Sequence, residues 1–389
     1  MQSMYFTEEH QLFRESLKDF LQKEVVPHID DWEASGTIDR AIWPKFGAMG
    51  FLGLATPEAY GGTGLDLFYT VILLEELQKI NSGGFAAAVW AHVYLAMTHL
   101  NKNANDAQKE TYLIPSANGE LIGCLGVTEP FGGSDVAAMR TTAIKKGDTY
   151  VINGSKTFIT NGIYGDYIIL AAKTDPSAGN KGISLFIVDL KSEGVSSNKL
   201  NKLGWRASDT AELAFDNVIV PASNLMGEEG KGFGFIMEAF ALERLVMAVN
   251  AHARAEHALE YVLQYMSERE TFGRPISQYQ ALRHRIADLH ADLDICKQYN
   301  YSVVHHMNKG EYVVREATIA KLKSTKMADE MAYECLQFLG GYGYIEDYPM
   351  ARLFRDSRLG PIGGGTSEIL REIIAKIIID KKEYKAPRS

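Results

Sequence analysis

Between Leu121 and Val220 the chain runs in short β-branched and aromatic stretches, whereas on both sides apolar residues recur every three to four positions. A repeat of two and a repeat of 3.6 cannot share one element. The chain must therefore set a β unit between two helical ones. The β runs are Leu121–Val127, Thr149–Ile152, Thr157–Thr160, Tyr167–Ala171, Ile183–Val188 and Ala214–Val220. Asn153-Gly154 separates the second from the third, where it predicts a two-residue hairpin turn. Asn161-Gly162 punctuates the next break.

Ahead of that block, Phe13, Leu17, Phe20, Leu21 and Val25 fall on one helical face after Thr7, and Pro27 closes it. Further helices are expected over Trp43–Met49, Tyr69–Ile80 and Phe85–Leu100. Beyond Lys231 the helices lengthen. Gly234–Glu268, Gln278–Lys309 and Glu311–Leu339 contain no proline, and Thr366–Lys381 supplies a last helix. Long helices joined by short loops imply an antiparallel bundle. The fold class is thus α+β multidomain: an N-terminal helical domain (1–119), a central β-domain (120–226) and a C-terminal four-helix bundle (227–389). A chain of 389 residues is long enough for all three.

Several function classes drop out. The formal net charge of −9 disfavours a nucleic-acid partner, which would need a basic stripe. Phosphorylated cofactors stay open, because a few arginines or helix N-termini suffice for them. Cys124, Cys296 and Cys335 are widely spaced, which suits small core residues in a reducing compartment. The start, MQSMYFTEEHQ, has no signal-peptide pattern, and no apolar run nears the ~18–20 residues of a membrane helix. A soluble, cytoplasmic protein is expected, without membrane contact. The histidines lack ligand spacing, so no metal is expected. Neither a G-x-G-x-x-G after a strand nor a P-loop is present.

What remains are four clusters at the borders between blocks. The first is Val127-Thr128-Glu129-Pro130-Phe131-Gly132-Gly133-Ser134-Asp135, whose small and hydroxyl residues suit an anionic or heteroaromatic ligand as well as a plain glycine loop. The second is Lys156 to Gly162, with an aromatic beside a hydroxyl. The third, Ser267 to Arg274, ends a helix and includes Arg269 and Phe272. The fourth runs from Gln337 through Gly340-Gly341-Tyr342-Gly343-Tyr344, Arg352 and Arg355-Asp356 to Gly363-Gly364-Gly365-Thr366-Ser367-Glu368-Ile369.

In order and spacing these clusters resemble the acyl-CoA dehydrogenases across essentially the whole chain. Both signatures are present, the T-E-P…G-S-D stretch and the Q…G-G-x-G-Y…R-D…G-G-T…E-I stretch. The resemblance implies FAD as cofactor. Leu125, Val127 and Thr128 would lie along the flavin ring, with Phe158 and Thr160 over its opposite edge. Ser134 would reach the pyrophosphate and the CoA part of the substrate. Arg269, Phe272, Gln280, Gln337, Gly340 and Gly341 would bind the FAD of a neighbouring subunit in a homotetramer, a dimer of dimers, and Thr366 and Glu368 would complete the site. The implied partners are an acyl-CoA substrate and an electron-transferring flavoprotein.

Many members of the family carry the α-proton base just before the G-T of the last signature. Here that position is Gly364, which has no side chain. A subgroup resembling the isovaleryl-, citronellyl- and long-chain enzymes carries it on the first bundle helix, where this chain has Ala241-Leu242-Glu243-Arg244. The resemblance makes Glu243 the base. Taken alone, Glu243 reads more readily as half of a salt bridge, with Arg244 or between helices; the family pattern and the empty position at Gly364 reverse that. Burial should raise its pKa. Gly364 would offer its N–H to the thioester carbonyl, while Arg244 and Gly365 would contact substrate. Phe131 stands where the family has glycine, and Phe158 where tryptophan is common. Gly363 replaces a bulky aromatic, so the glycine triplet is expected to leave open space for a 3-methyl-branched acyl group; medium- to long-chain groups are the other expectation. An oxidase of the same fold and a non-catalytic family member acting as an assembly partner are the alternative readings.

Overall fold

The computed structural model describes residues 4–384; the outermost ends of the expected first and last domains, 1–3 and 385–389, lie outside them. Eight helices come first: α1 (Glu8–Glu24), α2 (Ile29–Ser35), α3 (Ile42–Ala48), α4 (Leu67–Lys79), α5 (Gly83–Trp90), α6 (Met97–Asn103), α7 (Asp106–Gln108) and α8 (Ile114–Ala117). Thr7 starts α1 by exchange: its hydroxyl accepts the His10 N–H, and His10 Nδ1 accepts the Thr7 N–H. Two orphan donors of the first turn are thereby satisfied. The single helix expected over 85–100 is α5 and α6 joined through a π-helical stretch, Ala91–Ala96. Such a wide turn inserts an extra residue without breaking the rod.

The β unit holds β1 (Gly123–Gly126), β2 (Thr142–Lys146), β3 (Thr149–Thr160), β4 (Tyr167–Lys173), β5 (Ile183–Asp189), β6 (Val195–Lys199), β7 (Thr210–Pro221) and β8 (Leu225–Met226). The sheet order is β6-β7-β3-β2-β4-β5-β8, with β1 parallel to β4. Here one expectation fails. Asn153-Gly154 is not a hairpin turn but an irregularity inside the continuous strand β3, which pairs with β7 on both sides of it. A Cβ at Gly154 would fall 2.6 Å from Thr141 Cα, so glycine is kept by close backbone passage rather than by a turn. The true hairpin lies just upstream. Lys146 pairs with Thr149, leaving Gly147-Asp148 as the two-residue loop, with Gly147 at φ 63°.

The third block opens with α9 (Gly232–Glu268), followed by the short hairpin β9 (Glu270–Thr271) and β10 (Arg274–Pro275). Then come α10 (Gln280–Asn308), α11 (Val314–Leu339), α12 (Pro349–Ser357) and α13 (Ser367–Ile378). Helix α12 was not foreseen; Pro349 opens it at a position where a missing N–H costs nothing. Helix α9 packs against α11 on one side and α4 on the other. One core runs from the first helices into α9 and the near face of the sheet, a second fills the bundle, and a third lies on the sheet's far face.

Asp356, at the end of α12, joins the three blocks. It is buried, and its carboxylate accepts the Gly83 N–H of α5 (3.0 Å) and the Trp205 N–H ahead of β7 (2.6 Å). Its carbonyl accepts Arg254 of α9 (2.7 Å) and the Trp205 indole (3.1 Å). A Cβ at Gly84 would meet the Trp205 and Ala207 backbone at 2.8 Å, so only glycine permits this approach. Asp356→Ala strands two buried donors and should cost on the order of 3 kcal/mol. A lowered melting midpoint, with Asp356→Asn falling less, is the expected calorimetric result.

Candidate active site

Glu243 sits about three turns into α9, on the side that meets the loop between α12 and α13. That loop carries the glycine triplet. Gly364 (φ 61°) and Gly365 (φ 89°) both take left-handed backbone. The loop is tied at its base by Gly363 N–H to the Leu359 carbonyl (2.9 Å) and Ser367 N–H to the Pro361 carbonyl (3.0 Å). A Cβ at Gly364 would lie 3.6 Å from Glu243 Oε1. The space that a side chain at 364 would use is therefore the space into which the Glu243 carboxylate projects. The Gly364 N–H meets no protein acceptor among the described residues.

Glu243 is half-buried by accessible surface and desolvated by the protein packed around its carboxylate. Burial pushes its carboxyl above the ordinary range, against the opposing pull of Arg244 and then Lys321. The salt bridge considered from sequence does not form. Arg244 instead turns to Thr318 of α11 (3.4 Å) and lies near the Phe240 ring, and its Nε–H, buried, has no partner among the described residues. Met247, one turn on from Glu243, fills part of the space expected to be open. Its Cγ would be 3.2 Å from a Cβ at Gly364 and its Cε 3.8 Å from one at Gly363.

On the β side, β1 pairs with β4 alone among the described strands, so Leu125 has no ladder partner on its other edge, while the Val127-Thr128 continuation is tied to β3. The loop after β1 is shaped by a buried pair. Lys156 Nζ donates to Glu129 (2.8 Å) and to the Val127 carbonyl (3.2 Å), and Glu129 also accepts the Arg140 and Thr141 N–H groups. Burial works against both charges and draws Lys156 down to about 8, yet the ammonium holds Glu129 below the usual carboxylate range. Thr157 N–H bonds the Thr128 carbonyl (2.9 Å), stitching the loop to β3. Phe158, next on β3, is held at φ 61° with its ring 69% exposed. An exposed aromatic on left-handed backbone is a strained feature that the surrounding structure must hold in place. Thr160 lies two residues on, and Ser134 stands exposed beyond the Glu129–Gly132 turn. Phe131 is exposed under the Arg140 guanidinium (4.3 Å).

The other residues fall elsewhere. Thr366 caps α13 by accepting the Ile369 N–H (3.3 Å), and Glu368 faces solvent beside Arg371 (3.1 Å). Arg269, Phe272, Gln280, Gln337, Gly340 and Gly341 gather at the far end of the bundle, all exposed. There the Arg269 guanidinium lies 5.8 Å from the centre of the Tyr342 ring, and Phe272 is 98% exposed. Along α9 this end is about 38 Å from Glu243 at 1.5 Å per residue.

These elements have close relatives. Three family models cover the chain: acyl-CoA dehydrogenase N-terminal domain (residues 7–120), middle domain (124–218) and C-terminal domain (230–379). The chain belongs to the acyl-CoA dehydrogenase family. It is 37% identical over 380 residues to the mitochondrial long-chain specific acyl-CoA dehydrogenase of Sus scrofa, covering 97% of this chain and 88% of that one. It is 39% identical to the mitochondrial isovaleryl-CoA dehydrogenase of Oryza sativa subsp. japonica, covering 96% and 92%. An acyl-CoA dehydrogenase from Geobacillus kaustophilus superposes with a TM-score of 0.95 at 40% identity, over 97% of this chain and all of that one. A glutaryl-CoA dehydrogenase from Mycobacterium smegmatis in complex with FADH2 does so at 0.91 and 28%, over 98% and 97%. Acyl-CoA dehydrogenases are FAD-dependent oxidoreductases of fatty-acid and branched-chain catabolism, and this chain shares their three-domain fold. No helix among the described residues is long and apolar enough to cross a membrane, and no group of three or more His, Cys, Asp or Glu could hold a metal. All three cysteines are free and buried.

Neither Asp356 nor Lys156 was singled out for a role from sequence, although each lies inside a motif. Gly364→Ala should cost about 1–2 kcal/mol through its left-handed backbone and crowd Met247. Gly363→Ala, meeting only contacts at 3.8 Å, should melt nearer to wild type.

Proposed function

We propose that the chain catalyses α,β-dehydrogenation of an acyl-CoA thioester to the trans-2-enoyl-CoA, with Glu243 as the base that removes the α-proton. The observation that carries this reading is the desolvated Glu243 carboxylate beside a residue that has no side chain. Its raised pKa makes it a stronger base than a surface carboxylate. The Gly364 N–H, lacking a protein partner, is the donor for the thioester carbonyl, where negative charge grows as the proton leaves. Arg244 and Gly365 lie near Glu243 and contact substrate; Ser134 serves the CoA part. FAD, when bound, supplies the acceptor for the hydride lost from Cβ. Leu125, Val127 and Thr128 hold its ring along β1 and its continuation, Phe158 and Thr160 cover it, and Thr366 and Glu368 border it.

The distant group of Arg269, Phe272, Gln280, Gln337, Gly340 and Gly341 serves a flavin of a second copy in a homotetramer. Two facts support this: about 38 Å of helix separates it from Glu243, and its residues are exposed together. A groove of about 380 Å³ lies at the same end, lined by Leu263, Met266, Ile286 and Ala287 together with Ser277, Arg283 and His290. The electron acceptor is an electron-transferring flavoprotein, and the protein works in the cytoplasm. The acyl group is 3-methyl-branched or medium to long; Met247 narrows the space over the glycine triplet.

Anaerobic acyl-CoA should bleach the flavin band of the wild type, and Glu243→Gln should slow this by several orders of magnitude, at ~1.4 kcal/mol per tenfold. Unchanged bleaching would remove Glu243 as base. Because the fold raises the Glu243 pKa, its ionised form destabilises the protein above that pKa and the penalty fades as pH falls through it. Glu243→Gln should therefore melt no lower than wild type near neutral pH. For the acyl group, turnover of butyryl- to palmitoyl-CoA with none of 3-methyl-branched thioesters would exclude the branched assignment. Peroxide under air in place of flavoprotein reduction would exclude the acceptor.

A further inference from the structure

Lys321 is buried in α11, with no exposed surface, where a methionine would fill the same volume. Burying an ammonium is costly unless it has a task that an apolar side chain cannot perform. Its Nζ donates to the Gly365 carbonyl at 2.7 Å. Gly365 belongs to a turn whose glycines have no side chains with which to anchor it, and whose base bonds, from Gly363 and Ser367, leave its middle unheld. Lys321 Cε would be 3.9 Å from a Cβ on Gly364, and Glu243 Oε1 3.6 Å from that point. Carboxylate and lysine thus approach the same Cα from α9 and α11 without closing a direct ion pair among the described residues. Thr318, which holds Arg244, lies one helical turn before Lys321 on the same face of α11.

We infer that Lys321 is a positioning residue for this site: it pins the Gly364–Gly365 turn open beside Glu243 and sets a second cation, after Arg244, near that carboxylate. The inference rests on the base assignment proposed above. The charged groups facing Glu243 are Arg244 on its own helix and Lys321 on α11. Glu368 at the start of α13 acts on Lys321, and Tyr312 and Tyr384 act on Arg244. Arg244 is committed to Thr318 and the Phe240 ring, which leaves Lys321 as the cation tied to the turn itself. Burial draws Lys321 down to about 8, with Glu243 opposing, so the ammonium is present through the neutral range.

The test uses the FAD-loaded protein and its Lys321→Met, Lys321→Gln and Lys321→Arg variants. With the Lys321 cation gone, only Arg244 still opposes burial, and the Glu243 pKa rises further. In Lys321→Met the acid limb of the kcat/KM profile should move up by about one pH unit, and kcat should fall on the order of tenfold or more with KM changing less. Lys321→Gln, which keeps a donor but no charge, should move the limb likewise. Lys321→Arg should hold it at the wild-type position. A second readout needs no turnover: the carboxylic acid infrared band of Glu243, identified by its loss in Glu243→Gln, should titrate higher in the Met and Gln variants. An acid limb and band unmoved by loss of the charge overturn the inference, even if melting and activity both drop, since that is the result of a structural staple only. So does an Arg variant shifted as far as Met. Should Lys321→Met not fold, the Gln and Arg pair decides. If Glu243→Gln keeps full bleaching, the base assignment falls on its own, and the infrared titration still decides whether Lys321 governs Glu243.

Discussion

The architecture turns on one buried carboxylate. Asp356 accepts a backbone N–H from the first block and another from the second, while its own carbonyl accepts the Arg254 guanidinium of α9. Each bond is ordinary in strength, but all are desolvated, so losing the acceptor leaves each donor with neither protein nor water. That asymmetry makes the joint between blocks specific. It also sets the spacing: Gly83 and Gly84 bring α5 against the Trp205–Ser208 backbone, and any larger residue would push the blocks apart. The relative placement of α9, the sheet and the loop after α12 follows from this contact and from the core shared between them.

The same economy of buried charge recurs around the candidate site. On the β side, Lys156 and Glu129 neutralise each other and leave the Val127–Thr128 backbone fixed. On the bundle side the pairing is deliberately incomplete. Arg244 turns away to Thr318 and Lys321 reaches a carbonyl, so Glu243 feels two cations but is bound by neither. A carboxylate closed into a salt bridge is a weak base; one that is desolvated and merely attended by cations retains reactivity. The glycine triplet completes the arrangement by offering backbone without bulk.

Much of this was legible in the chain. The change of hydrophobic period marked the block order, and the vacancy at Gly364 together with Ala241–Arg244 pointed to Glu243. The errors are instructive. Asn153-Gly154 carries the strongest local turn signal, but β7 runs alongside both halves of β3, and the ladder bonds of a long antiparallel pair outweigh a two-residue preference. Strand β2 escaped notice because Thr142–Lys146 ends in two exposed lysines and lacks an alternating apolar run. The open space expected at the triplet is partly taken by Met247, whose direction depends on α9 packing.

By itself, then, the sequence determined the order of helical, β and helical blocks, the flavin-family motifs and which of two positions holds a carboxylate, because these are properties of local period and residue identity. Only the tertiary structure decided that Asp356 would join the blocks, that Glu243 would go unpaired beside Arg244, and that Lys321 would reach Gly365. Those outcomes depend on which polar groups lose water together when distant elements pack, and no local pattern in the chain records that.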